Sequence, residues 1–281
     1  MMLSPINYMG SKRRLLKQLL PLFPDKINTF YDLFAGSLTV SLNVQANSYV
    51  ANDLNQPLIS LFNFMIHADE KELELIKHNL KAGQDKDKFY WLREAYNRHN
   101  LSSIDANLAL LSLTVSAFTS CAFRFNQKGK YNSPWSNKEH LTDFYYHNKY
   151  KKIVDMVNYF KNKEIKLTSK SYEAYINQDF KSNDFVYLDP PYFGTDASYK
   201  GWDEEEEIKL YQNLVALNQK GVKFALSNVL THGDKLNPYL DDFIKNNDVQ
   251  VYHLNMNYSN STYHTKHRKS DEILVTNYIK N

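Results

Sequence analysis

From Phe185 to Leu188 the chain reads FVYL, an unbroken apolar run followed at once by Asp189, Pro190, Pro191 and Tyr192. A short run with no polar alternation has the pattern of a strand covered on both faces, which calls for helices on either side of a sheet. The two prolines lack an N–H and have fixed φ, so a hydrogen-bonded ladder stops there and a stiff turn begins. Asp189 is therefore held at the carboxyl end of a buried strand, where open α/β sheets bind their ligands. Taken alone, these four residues describe an ordinary turn equally well, because each of them favours turns.

The rest of the chain supports the sheet. A helical leucine pattern at Leu15, Leu16, Leu19 and Leu20 precedes the strand-like TFYDLF, a turn at Ala35–Ser37, a helix-like LTVSLNV and a second strand, YVAND. From Gln56 to about Tyr150 the pattern is helical (PLISLFNFMIHA, KELELIKHNL, KFYWLREAYNRH, ANLALLSLTVSAF) and ends in a basic, glycine-containing turn region. Alternation resumes with KIVDMVNYF, IKLTS, DFVYLDPPYFG, an acidic helix start at DEEEE, GVKFALSN, VQVYHLN and DEILVTNYI. Strands alternating with helices predict an α/β fold with a doubly wound, mostly parallel sheet. The domain reading is a sheet domain from residues 1–55 and 151–281, interrupted by a mainly helical insertion at 56–150.

Composition narrows the classes. Of 281 residues, 43% are hydrophobic and 23% charged, as in an ordinary globular protein. The single cysteine, Cys121, excludes an internal disulfide and suits a reducing cytoplasm. No CxxC or HExxH spacing occurs, so no metal is expected, and no apolar stretch reaches membrane-spanning length. An intracellular protein is the expectation; oligomeric state is left open. The net charge of +3 is small but unevenly spread: residues 121–170 hold 11 Lys+Arg against 4 Asp+Glu. Tyrosine, phenylalanine and tryptophan interleave with these bases, a pairing that suits nucleic acid, although a solvated helix face gives a similar count.

DLFAGS reads as strand, tight turn and helix start, with Gly36 permitting close backbone approach and Asp53 ending the next strand. That acid is placed to accept hydrogen bonds from a ribose. One glycine stands where a dinucleotide fingerprint needs three. A ligand with ribose but no phosphates fits better, and S-adenosylmethionine is the common one.

In order, INYMGSKRRLL, FYDLFAGSLTVSLNV, VANDLNQPLI, RFNQKGKYNSPW, VYLDPPY, KFALSN and DEILVTNY resemble the Dam family of DNA adenine-N6 methyltransferases, and most of all the Dam enzymes of T-even bacteriophages. The resemblance spans almost the whole chain. It implies a methyltransferase fold in which Tyr8 and Lys12 hold the methionine end of S-adenosylmethionine. Phe34, Ala35 and Gly36 would pass beneath the methyl donor, Asp53 would take its ribose, and Ser171 and Tyr172 would border its adenine. The family often has glycine where this chain has Ser37. Asp189 and the Pro190 carbonyl would each accept a hydrogen bond from adenine N6, letting its lone pair point at the methyl group, while Pro190 and Pro191 hold the acceptors still. Tyr192 would stack on a base flipped out of the duplex.

The resemblance also makes residues 56–150 a target-recognition domain for double-stranded DNA, with a β-hairpin over Arg124–Lys138 turning at Lys128-Gly129. Arg124, Asn126, Lys128, Pro134 and Lys138 are its candidate DNA-binding residues, with GATC the expected site and a restriction–modification system, a phage or a host chromosome the possible settings. Arg124, Asn126 and Lys138 read equally as phosphate contacts or solvated side chains. Two other readings stay open. One keeps the fold but methylates cytosine N4, RNA adenine or a glutamine side chain; those enzymes more often carry Ser or Asn in the place of Asp189. The other is a noncatalytic DNA-binding protein, against which the intact Asp189–Tyr192 stretch argues.

Overall fold

A computed structural model of the chain describes residues 1–118, 122–136, 141–194, 202–255 and 270–280. They fall into two compact units: one of Met1–Ser11, Gly36–Asn43 and Asn55–Ser169, the other of Lys12–Ala35, Val44–Leu54 and Lys170–Asn281.

The second unit holds the sheet. Its strands are β1 (Thr29–Asp32), β2 (Ser48–Asn52), β4 (Phe185–Leu188), β5 (Lys223–His232), β6 (Lys235–Leu236), β7 (Gln250–Leu254) and β8 (Ser270–Thr276); β3 (Glu164–Thr168) belongs to the first unit. The strand order is β2-β1-β4-β5-β8-β7, with the short β6 turning back on β5. β2, β1, β4 and β5 run parallel, and β8 lies antiparallel between β5 and β7. This is the mostly parallel α/β sheet that the apolar runs predict.

Both faces of that sheet are covered because successive strand residues point to opposite sides. Val186 and Leu188 of β4, with Phe224 and Leu226 of β5, join the core formed by α7 (Glu204–Gln219) and α8 (Pro238–Asn246) through Leu210, Leu214, Leu240 and Phe243. Their neighbours Phe185 and Tyr187 turn the other way and meet Phe23, which follows α1 (Leu16–Leu19). α7 starts where the sequence tells it to: the Asp203 side chain accepts from Glu206 N–H at 3.1 Å, and four glutamates in the first turn suit the positive end of the helix dipole.

The first unit is mainly helical. α2 (Gln56–Ile66), α3 (Glu70–Asn79), α4 (Lys86–Asn97), α5 (Ser103–Ser116) and α6 (Asp143–Phe160) are each capped by a short polar side chain, from Asn55, Asp69, Asp85, Ser102 and Thr142. At α3 the cap is a full capping box, with Glu72 returning a bond to the Asp69 N–H. α5 is buried over the ten consecutive residues Asn107–Ser116, so over that span it presents no face to water.

Two local expectations are revised. LTVSLNV does not become a helix: only a single 3-10 turn forms at Ser41–Asn43. Leu38 takes a left-handed φ of 56°, while the Asn43 amide bonds to the Thr39 carbonyl at 2.9 Å and Ser37 pairs with Thr39 at 2.7 Å. Side chains that bond the local backbone compete with helix in this way. In addition, KIVDMVNYF is not a separate element but the second half of α6, so a division at residue 150 would fall inside a continuous helix.

Candidate active site

In the second unit three strand ends present the residues singled out in the sequence. The turn after β1 carries Phe34 and Ala35, the end of β2 carries Asp53, and the end of β4 carries Asp189, the buried Pro190, then Pro191 and Tyr192.

Asp189 is the centre of this arrangement. Lys12, in the 3-10 turn Lys12–Arg14, places its Nζ 2.7 Å from Asp189 Oδ1 and donates to the Tyr192 hydroxyl at 2.5 Å. That hydroxyl donates onward to the same carboxylate oxygen at 3.2 Å. The ammonium also stands 4.9 Å from the centroid of the Tyr192 ring, within cation–π range. Lys12 is 6% exposed and the Asp189 side chain 16%, so the pair is largely out of water. Burial raises the Asp189 carboxyl above the ordinary carboxylate range, the Lys12 charge and the bonds from Lys12 and Tyr192 oppose that rise, and the Glu272 carboxylate adds to it. The Tyr192 phenol is raised well above its usual value, first by burial and then by the neighbouring Asp189. A carboxylate fixed at a strand end beside an aromatic ring can accept a hydrogen bond from an amino group and take up its proton. Sequence reading assigned Lys12 to the methyl donor alone; in the structure it contacts Asp189 and Tyr192.

A residue absent from the sequence reading organises the neighbouring turns. Asn52, 1% exposed, donates through Nδ2 to the Leu33 carbonyl at 3.1 Å and to the Lys170 carbonyl at 2.9 Å. Its Oδ1 accepts from Lys170 N–H at 3.0 Å, and its own carbonyl accepts from Ala35 N–H at 2.8 Å. Thus Asn52 ties the turn after β1 to the segment that presents Ser171 and Tyr172. Its only signal in the sequence was adjacency to Asp53, where a polar strand end looks unremarkable. Ser171 caps the 3-10 turn Tyr172–Tyr175, and the Tyr172 ring packs against Phe34 with centroids 5.2 Å apart. Asn52→Leu keeps the volume but strands the polar groups at Leu33 and Lys170, so a loss of about 1–3 kcal/mol per stranded group is expected. Urea unfolding of the two proteins checks it.

The first unit holds the remaining candidates. Tyr8 lies against Phe123 with ring centroids 6.1 Å apart. The loop before it is anchored by the buried Lys149, which donates to the Pro5 carbonyl at 2.8 Å and to Asn7 Oδ1 at 3.3 Å. Burial, and then the charge of Lys152, pull the Lys149 ammonium down to about 7. Gly36 has a φ of +45°.

The hairpin turn is formed as its residues predict. Phe125 bridges Tyr131, Asn126 N–H bonds the Lys130 carbonyl at 2.9 Å, and Gly129 closes the turn with a φ of +70°. Arg124, Lys128 and Pro134 are exposed. Asn126 Oδ1 accepts from the N–H groups of Lys128 and Lys130 at 2.9 and 3.0 Å, so this oxygen shapes the turn. Below the turn, the Asn97 side chain grips the Tyr131 backbone on both sides, and the Tyr131 hydroxyl donates to the Ala122 carbonyl at 2.7 Å. Lys138 lies outside the described residues.

Among the described residues no cluster of His, Cys, Asp and Glu could hold a metal ion, and no helix is long and apolar enough to cross a membrane.

Residues 8–277 match the family described as D12 class N6 adenine-specific DNA methyltransferase. The chain is 34% identical to modification methylase StsI of Streptococcus sanguinis and 36% identical to type II methyltransferase M.FokI of Planomicrobium okeanokoites, each over 98% of this chain and 43% of the relative. It therefore spans about two-fifths of the length of these relatives. A DNA adenine methylase of Haemophilus influenzae is 27% identical over 66% of this chain and 63% of its own.

Proposed function

Because this chain belongs to the D12 class of N6 adenine-specific DNA methyltransferases, we propose that it methylates N6 of an adenine in double-stranded DNA, using S-adenosylmethionine. The observation that carries the reading is Asp189, fixed by Lys12 and Tyr192 at the carboxyl end of β4 and beside the turn that Asn52 clamps.

The residues fit such a methyl donor. An aromatic pair, Phe34 and Tyr172, offers a flat apolar wall for adenine, and Asp53, just past β2, offers a carboxylate for ribose hydroxyls. Bound S-adenosylmethionine would supply the electrophilic methyl group. This chain's residues would do the rest. Asp189 and the Pro190 carbonyl accept hydrogen bonds from the amino group, drawing its lone pair out of conjugation with the ring. The surplus N6 proton of the methylated amino group would pass to Asp189 or, through it, to water. Tyr192 stacks on the flipped base. Lys12, already paired with Asp189, is also read, together with Tyr8, as a holder of the methionine end of the methyl donor.

The helical part, residues 56–150, is read as the target-recognition domain, with Arg124, Lys128 and Pro134 on the hairpin meeting DNA and Lys138 completing the set. Asn126 would donate through its amide nitrogen while its oxygen keeps the turn. A Dam-like GATC site, a likeness to the T-even phage enzymes, a role beside a restriction enzyme and a cytoplasmic place in a bacterial cell belong to the same reading. The ordered motifs support the Dam likeness, and the similarity to modification methylases supports the restriction–modification setting.

Incubation of the purified chain with mixed-sequence DNA and labelled S-adenosylmethionine, followed by base-resolved mapping, tests it. N6-methyladenine within one short motif is expected; N4-methylcytosine, or no product despite methyl-donor binding, would overturn it. For Asp53→Ala the expected result is an approximately tenfold or greater weakening of methyl-donor affinity, as for a lost hydrogen bond to a charged group. Single-turnover methyl transfer at saturating methyl donor should stay near wild type. Calorimetry and rapid quench separate the two, and an unchanged dissociation constant would move the ribose elsewhere.

A further inference from the structure

Glu207 is wholly buried in the first turn of α7. Its Oε1 accepts from the Tyr211 hydroxyl at 2.5 Å, from Asn237 Nδ2 at 2.8 Å and, at the long limit of 3.5 Å, from Asn228 Nδ2. Its Oε2 accepts from the Trp202 indole N–H at 2.7 Å. A carboxylate taken out of water is costly unless its oxygens are saturated, and an apolar side chain would fill the same volume without that cost. What Glu207 adds over an apolar residue is fixed positions for the groups bonded to it. Three of these secure α7, β5 and the cap of α8. The fourth, Trp202, is only partly buried and belongs to the entry of α7.

The Trp202 ring meets Phe34 edge to face, with centroids 5.7 Å apart and planes at 81°, and stands 6.2 Å from Tyr172. Three aromatic rings from three separate segments thus converge at the turn after β1. We propose that Trp202 is a further wall of the pocket for the adenine of the methyl donor, and that Glu207 is the positioning residue that sets its indole. The assignment rests on the reading that Phe34 and Tyr172 border that adenine. Neither Trp202 nor Glu207 is a residue that the motifs single out.

Titration calorimetry with S-adenosylhomocysteine and with adenosine tests it on the full chain. Trp202→Ala should bind both ligands about 10- to 100-fold more weakly, the range for losing an aromatic ring beneath a base. Because adenosine lacks the amino-acid end, an equal loss for both ligands locates the effect at the adenosine part, as a wall for the adenine requires. Trp202→Phe should retain binding within about threefold, since a flat ring remains. Glu207→Gln turns an amide NH2 toward groups that are themselves donors, so it should raise KM for the methyl donor while leaving kcat near wild type. Wild-type affinity in a folded Trp202→Ala protein would overturn the proposal and leave the functional reading intact. If Trp202→Ala does not fold, a Trp91→Phe, Trp135→Phe protein leaves Trp202 as the single indole. Its emission should then change on ligand addition, and constant emission at calorimetric saturation would overturn the proposal. If the wild-type chain binds neither ligand, the functional reading fails, and this proposal fails with it.

Discussion

Asp189→Ala should lower turnover by about 10²- to 10⁴-fold, the range for a side chain that handles the transferred proton, while methyl donor and DNA still bind. In the functional reading the carboxylate sits where positive charge develops on the amino nitrogen, so its contribution should be larger in the transition state than in the ground state. In the functional reading methyl-donor binding rests on Tyr8, Lys12, Phe34, Asp53 and Tyr172; of these Lys12 pairs with Asp189, and it keeps its bond to the Tyr192 hydroxyl when the carboxylate is removed. The measurement is single-turnover methyl transfer to a duplex carrying the mapped site, alongside calorimetry for S-adenosylhomocysteine. Asp189→Asn is the sharper companion, because it keeps the shape and an acceptor oxygen but cannot take a proton. If Asp189→Ala stays within about tenfold of wild type, the proton leaves by another route.

The second large effect should come from Lys12→Met, and it has a direction in pH. Lys12 lowers an Asp189 carboxyl that burial has raised, so its removal lets that carboxyl rise further. In the functional reading methyl transfer requires the ionised acid, and the acid limb of the kcat profile should therefore move to higher pH than in wild type. Stability should follow the same sign. A carboxyl whose folded value lies above its unfolded value contributes stability that is full below the unfolded value and disappears as pH rises through the folded one. The variant should thus be closest to wild type in acid and fall behind toward neutrality, by up to about 3–5 kcal/mol for a broken buried pair, reduced by the residual exposure of Asp189. Thermal melts from acid to neutral pH, read beside the rate profile, check both halves; parallel curves for the two proteins would show that the ion pair does not set the acid.

The strand framework was legible because its physics is local. A run such as FVYL has too few polar positions to face water, and a double proline ends it, so the place of Asp189 followed from seven or eight adjacent residues. Tertiary partnership was not legible in the same way. Lys12 and Tyr192 are 180 residues apart, and nothing in SKRR distinguishes the lysine that turns inward from the arginines that stay exposed. Asn52 was hidden by its neighbour Asp53, since the acid suggested chemistry and the amide suggested only a strand end. The helix expected from LTVSLNV failed for a local reason that periodicity does not register: Leu38 takes a left-handed φ of 56° and the Asn43 side chain bonds the Thr39 carbonyl. Glu207 looked like one of four solvated glutamates, and only the donors gathered from β5 and α8 set it apart.

The position of β8 bears on how the chain reaches its native state. β8 is later in the chain than both strands that flank it, and among the described residues β7 borders the rest of the sheet only through it. During synthesis, β5 must therefore wait with one hydrogen-bonding edge open, and that edge belongs to a strand whose residues Phe224–Val229 are all destined for burial. An apolar strand with an open edge readily pairs with other chains. Its antiparallel partner supplies the cover only after some forty further residues have emerged. The yield of folded protein should thus depend on how quickly the last strand is delivered, and lengthening the segment between β7 and β8 would act on aggregation during expression before it acted on the stability of the finished sheet.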